Sequence, residues 1–393
     1  MTHPWNTVIE DKPQGKHFLA NVLLLFVILA VFMEGGSRLI LSIGSLRQRV
    51  FSFDNSSYRL QWVARHPHHM EWAWAGPFSI YNSTRGWAVK PGIRNMRVAD
   101  GMLLTTNSRG VRGTAEYPYE RIPGKLRIVT LGDSFTFGSE VNDEETFSRH
   151  LEVSLPDTEV LNLGVQGYGH DQMLLYLKDE GVKYRPDIVI VGFAYLDIYR
   201  NTLRFFAYAK PEFNLVSGNL VLTNVPVPTP DRVLATEPYR PKSLDLLLIL
   251  KDKLRWLLGK NERDARDVTK ALLDEIIATS RSVRATPVFV YLPVYEEIES
   301  HAKGQSYPLI VKSIPFADRE RYLHGICQEE HIPCLFLRSR FDAEVKRGVD
   351  LHPQGHWNAT AHSLAAQEMQ NFLIAQGLIQ NQPAGNLATR YRK

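Results

Sequence analysis

Arg127-Ile-Val-Thr-Leu-Gly-Asp-Ser134-Phe-Thr-Phe-Gly138 is the stretch whose reading decides the fold. Ile128 to Leu131 is an apolar, β-branched run that reads as a buried strand. Gly132-Asp133-Ser134 stops it abruptly, and a helix is expected to follow. A serine at a strand-to-helix turn holds its hydroxyl at the end of a sheet and its N–H at a helix start. A developing negative charge is stabilised there. Ser134 is therefore a candidate nucleophile, provided the rest of the chain supplies a base, its orienter and oxyanion donors.

Downstream, the alternation of strand and helix continues. Glu159 to Gly164, Asp187 to Phe193, Pro287 to Leu292 and Pro333 to Leu337 read as strands. Thr146–Leu155, Asp171–Glu180, Ala265–Val283 and Ala317–Glu330 read as helices. Near-continuous apolar strands separated by helices of this length predict an α/β fold, a three-layer α/β/α domain around a mostly parallel sheet. Right-handed crossovers then bring every strand's C-terminal end to one edge, where Ser134, Gly167 and Asp197 gather. Residues 200–262 form an insertion. Asn214 to Leu222 is expected as a hairpin, Val225 to Pro230 as an extended run, and Leu244 to Leu258 as an apolar helix with Lys251, Lys253 and Arg255. That helix is expected to pack on the domain as a lid or flank, the bilayer surface being its other possible resting place.

Upstream, residues 1–17 are a polar tail and residues 18–43 are apolar apart from Asn21 and the Glu34-Gly-Gly-Ser-Arg38 interval. With Arg38 snorkelling, that length spans a bilayer. A cleavable leader is disfavoured by the long polar stretch before it and the lack of a clear small-residue cleavage site, and a buried core helix by the segment's terminal position together with its apolar character on all faces. The expectation is a single transmembrane anchor. Lys12 and Lys16 on one flank are balanced by Arg38, Arg47 and Arg49 on the other, so charge alone sets no orientation. Residues 44–125, with Trp62, Trp72, Trp74 and Trp87, are expected as a membrane-proximal layer on the main domain, which spans 126–376. In its loop Asn107-Ser-Arg-Gly-Val-Arg-Gly113 the arginines are expected to brace the core rather than touch an anionic substrate group. Residues 377–393 lack periodicity and are expected to be disordered.

Composition narrows the function classes. The 393 residues carry a net charge of only +4, with no basic stripe to suggest nucleic acid. No lysine follows the glycines of Gly132 to Gly138, so this is not a Walker phosphate loop. No cofactor or metal pattern stands out. Cys327 and Cys334 are expected as two buried small apolar residues. Near the C-terminus, Asp350-Leu-His352-Pro-Gln-Gly-His356-Trp-Asn-Ala-Thr-Ala-His362 precedes a helix. An Asp and His cluster at that point is what a Ser-His-Asp mechanism requires.

Together these segments resemble the GDSL/SGNH hydrolase superfamily over Leu126 to Ala375. Leu131-Gly-Asp-Ser134-Phe-Thr-Phe-Gly138 resembles its nucleophile block, Asn162-Leu-Gly-Val-Gln-Gly167 its second block, and His356 to His362 its histidine block. The resemblance implies a flavodoxin-like strand order, Ser134 as nucleophile and His356 as base, chosen over His352 by the six-residue spacing to His362. It also implies the N–H groups of Ser134 and Gly167 as oxyanion donors. Two positions depart from the family. Its third-block asparagine falls on Leu196, which leaves Asn201 as a substitute donor. Its aspartate falls on Pro353, which leaves Asp350 as the nearest orienter, reaching His356 only if the Pro-Gln-Gly segment loops back, with an Asn or Gln orienter or a Ser-His dyad as the alternatives. The implied function is a membrane-anchored bacterial esterase or O-acyltransferase without cofactor, acting on acetyl or other acyl esters of a small molecule or cell-surface glycan. The resemblance places it in the inner membrane with its body periplasmic or extracellular. The competing expectation is a non-catalytic binding or assembly subunit of an envelope polysaccharide system.

Overall fold

The computed structural model describes residues 14–65, 76–98, 101–299, 316–352 and 355–380. Most of the polar leader, Trp72, Trp74, Pro353 and the last part of the expected disordered tail lie outside the described residues. The serine-bearing strand β1 (Leu126–Gly132) sits inside a five-stranded sheet with β2 (Thr158–Gly164), β3 (Ile188–Phe193), β4 (Thr286–Tyr291) and β5 (Cys334–Phe336). The order is β2-β1-β3-β4-β5 and every pairing is parallel. The expected flavodoxin-like doubly wound order is therefore present, with its switch point between β1 and β3. Ile128 is opposite Val160 in β2 and Ile188 in β3, which fixes the register.

Alternation along each strand builds two cores. Val129, Leu131, Leu161, Val189 and Val191 face one side and pack with helices α5 (His170–Asp179), α7 (Lys260–Ser282) and α8 (Phe316–Glu330). Ile128, Val160, Ile188, Ile190 and Val288 face the other and pack with α4 (Phe147–Ser154) and α9 (Ala359–Ala375). A strand's period of two sends neighbouring side chains to opposite faces, so a strand covered on both faces is apolar along most of its length.

The apolar N-terminal segment is one unbroken helix, α1 (Gln14–Ser42), running through Gly35-Gly36. None of its most apolar stretch is buried. Only its last turns meet the body. Leu41 packs with Leu60 of α2 (Asn55–Arg65) and Ile249 of α6 (Lys242–Leu257), and the Glu34 carboxylate accepts from Lys242 N at 3.0 Å and Ser243 N at 2.9 Å. The expected hairpin pairs Glu212–Val216 with Asn219–Thr223. Trp62, Trp87 and Val111 of the 44–125 segment share the core that holds α5 and α7. Cys327 and Cys334 correct the sequence expectation. They are joined in a disulfide with Cα atoms 6.2 Å apart, because α8 folds back directly onto β5.

Candidate active site

The turn after β1 is held close to the sheet by three glycines. Gly132, Gly164 and Gly192 lie at or near the C-terminal ends of β1, β2 and β3, and the short helix α3 (Ser134–Phe137) rests on them. A Cβ at Gly132 would lie 1.9 Å from Thr136 Oγ1. One at Gly192 would lie 2.4 Å from the same atom, and one at Gly164 would lie 2.3 Å from the Phe137 backbone nitrogen. Only glycine allows that approach. Asn162 adds a polar tie, donating from Nδ2 to Thr136 O at 2.8 Å. Asp133 caps α3 through Phe135 N at 3.0 Å. Ser134 is 8% exposed, with its hydroxyl at the sheet edge.

His356 meets it there, Nε2 to Oγ at 2.9 Å. The imidazole is fixed through its neighbour: Trp357 is fully buried against Phe135 and Phe341 and donates from Nε1 to Pro293 O at 3.0 Å. On the far side of the ring, Nδ1 lies 2.9 Å from Glu140 Oε1. An ionised carboxylate only accepts, so Nδ1 carries the proton, Nε2 is the lone-pair nitrogen, and the Ser134 hydroxyl donates to it. The hydrogen bond from His356 holds the Glu140 carboxyl below the usual carboxylate range.

Glu140 takes the place expected of Asp350. Asp350 is exposed, its Oδ1 accepts from His352 N at 3.0 Å and its carbonyl accepts from Asn358 Nδ2 at 2.8 Å, so it braces the loop instead of reaching His356. Glu140 has φ 70°, an uncommon conformation for a non-glycine residue that throws its side chain back toward the ring. The only sequence signal was a carboxylate six residues past Ser134, just beyond Gly138.

The turn carrying Glu140 is clamped by Arg112. This buried guanidinium donates to Phe137 O at 2.6 Å, Gly138 O at 2.5 Å and Val141 O at 2.6 Å, and to Asp143 at 2.9 Å. Burial lowers its pKa from the ordinary arginine value, while Asp143 works in the opposite direction. The loop arginine thus braces the core, as expected from sequence, and does so directly under the serine turn. Arg109 is likewise internal, donating to Tyr117 O at 3.0 Å and lying over the Tyr119 ring.

Among the described residues, neither Ser134 N–H nor Gly167 N–H has a protein acceptor. Gly167 has φ 76°, on a loop whose Gln166 donates to Ser139 Oγ at 2.6 Å. Asn201 does not join them. It is fully buried, its Nδ2 donates to Thr269 Oγ1 at 2.7 Å and faces His170 Nδ1 at 3.1 Å, and so it ties the start of α5 to α7. Leu196 packs against both cores. One turn on, Arg200 pairs with Asp197 and with Asp133 at 3.3 Å and donates to Tyr168 O at 3.0 Å. His362 sits in the interior, its Nδ1 accepting from Phe147 N at 3.2 Å.

No family model and no curated protein matches the sequence. Among solved structures, the chain is similar to an acetyl xylan esterase, AlAXEase, at 11% identity over 63% of this chain and 98% of that one, with a TM-score of 0.39. It is similar to a catalytic mutant of the acetylxylan esterase Axe2 from Geobacillus stearothermophilus at 11% identity over 65% and 96%, with a TM-score of 0.38. It is also similar to a lipolytic protein of the G-D-S-L family from Veillonella parvula at 14% identity over 63% and 97%, with a TM-score of 0.37.

Proposed function

We propose that this protein is a membrane-anchored serine esterase or O-acyltransferase of the SGNH type, acting on acyl esters, and on acetyl esters of a cell-surface glycan in particular. The observation that carries the reading is the continuous chain Ser134 Oγ, His356, Glu140, with both hydrogen bonds at 2.9 Å. Ser134 Oγ attacks the ester carbonyl as its proton passes to His356 Nε2, and Glu140 stabilises the imidazolium that results. The N–H groups of Ser134 and Gly167 hold the oxyanion. When the tetrahedral adduct collapses, His356 returns the proton to the leaving alcohol and an acyl-serine remains. Water or a sugar hydroxyl then attacks that acyl group, with His356 again taking the proton, and Ser134 is released.

The apolar, unburied helix α1 supports an anchor. The Cys327–Cys334 disulfide supports a body outside the cytoplasm, since such bonds persist in oxidising compartments. A fluorophosphonate probe is expected to label wild-type protein at Ser134 and to leave Ser134→Ala and His356→Ala unlabelled. Equal labelling of Ser134→Ala, or none of folded wild type, sinks the reading. A membrane-impermeant form of the probe should label intact spheroplasts. A competing reading follows from Leu196, since loss of one oxyanion donor costs on the order of a hundred-fold in turnover. In that reading the chain binds glycan without cleaving it, and glycan binding survives in Ser134→Ala while ester turnover stays at background.

A further inference from the structure

A cavity of about 440 Å³ lies between α2, the Phe205–Ala209 turn and the segment leading into α6. Arg59, Arg204, Arg232 and Arg240 line it, against one carboxylate, Glu237. Arg59 pairs with Glu237 and with Asp245 at 2.5 Å, and Arg240 reaches Asp245 at 2.6 Å. Those two carboxylates also serve Lys242. Arg204 and Arg232 are exposed and make no ion pair among the described residues. The wall therefore carries an excess of positive charge that its own acids do not neutralise, and the buried Arg59 Nε has no hydrogen-bond partner among the described residues.

The position of the cavity says where the balancing anion comes from. From Phe18 to Met33, α1 stands clear of the body, ~24 Å of helix at about 1.5 Å per residue. A hydrocarbon core is ~30 Å thick. The exposed run falls only ~6 Å short of that thickness, so the face of a bilayer around α1 lies close to Glu34, the first charged residue after the run, and Glu34 is the residue that holds the first N–H groups of α6. The start of α6 then lies at the membrane surface, and Tyr239, Arg240, Pro241 and Leu244 around it line the cavity. The rim is apolar and solvent-facing there: Tyr239 is 87% exposed and Leu244 42%.

We propose that this cavity binds the phosphate of an anionic membrane lipid, with Arg204 and Arg232 on the phosphate oxygens and Tyr239 and Leu244 against the glycerol and upper acyl chains. Arginine's planar fork suits phosphate oxygens, and an aromatic ring suits the interfacial layer. The inference rests on α1 as a membrane anchor and is independent of the chemistry at Ser134.

The test titrates the full chain in nonionic-detergent micelles with dihexanoylphosphatidic acid, dihexanoylphosphatidylcholine and inorganic phosphate, following binding by thermophoresis. Phosphatidic acid is expected to saturate and to bind at least tenfold tighter than either of the others. The R204A/R232A double variant, with two exposed side chains removed, is expected to weaken that binding at least tenfold. R321A, at an exposed site on α8 (73% side-chain exposure), should leave it unchanged. Equal affinity for inorganic phosphate would assign a free-anion site and overturn the lipid. Equal affinity for phosphatidylcholine, or unchanged affinity in the melt-verified double variant, would overturn the arginine cradle. Flotation of the full chain with liposomes tests α1 separately, so intact flotation with lost lipid selectivity defeats the cavity alone.

Discussion

Glu140 presents its carboxylate from a left-handed backbone position, a conformation that costs about 1 kcal/mol or more and persists only where the surroundings over-determine it. Arg112 below and His356 above supply that determination. Replacing Glu140 with Gln keeps the shape but offers an N–H to Nδ1, which favours the imidazole tautomer that cannot take the serine proton. Turnover of a p-nitrophenyl acetate assay is expected to fall on the order of 10²-fold or more in Glu140→Gln, with KM little changed. Asp350→Asn should stay within about threefold of wild type, since its carboxylate serves a loop turn. The reverse ranking would return the orienting role to Asp350. From sequence, Ser134 and His356 were both legible as candidates, because each lies in a local pattern. Glu140 was not, because nothing local marks it as facing a residue 216 positions away.

At the scale of elements, the serine turn is a short helix pressed onto three glycine strand-ends and pinned by one arginine. Arg112 satisfies three carbonyls at the end of that helix and the turn beyond, together with the Asp143 carboxylate. Arg112→Ala leaves those acceptors buried without a donor, and denaturant unfolding should show a loss of about 3–5 kcal/mol. Arg112→Lys keeps the charge without the fork and should fall between the two. A loss below about 1 kcal/mol in Arg112→Ala would mean that the clamp is idle. Sequence placed Arg112 in the interior of a loop near the serine strand, but which carbonyls it meets depends on how residues 107–113 lie across β1.

Three buried imidazoles tie distant parts of the whole molecule together in their neutral form. Burial lowers His170 to about 3, His352 to about 4 and His362 to about 3. His362 accepts from the first residue of α4, so protonation would abolish that bond. The sign follows from the direction of the shifts. The unfolded imidazole, with a pKa near 6.5, binds its proton while the folded one does not, so stability is full above about pH 6.5. It falls as pH drops toward 4, by about 1.4 kcal/mol per group per pH unit. Asp54, raised by burial to about 6, works in the opposite sense as it protonates and offsets part of the loss. Imidazole resonances of His170 and His362 are expected to stay in the neutral position down to pH 4. Titration of either near pH 6.5 would show that its ring is open to water.

The sequence by itself determined the alternation of elements, the parallel sheet, the serine turn, the histidine block and the apolar helix α1. Each rests on a period or spacing within a short window, where backbone geometry dictates which residues share a face. The tertiary structure alone decided that Glu140 rather than Asp350 faces His356, that Asn201 turns into the core, that Arg112 clamps the turn and that Cys327 meets Cys334. Those are choices of partner between segments. They are settled by how whole layers pack, and by the cost of leaving any buried charge or donor without a mate.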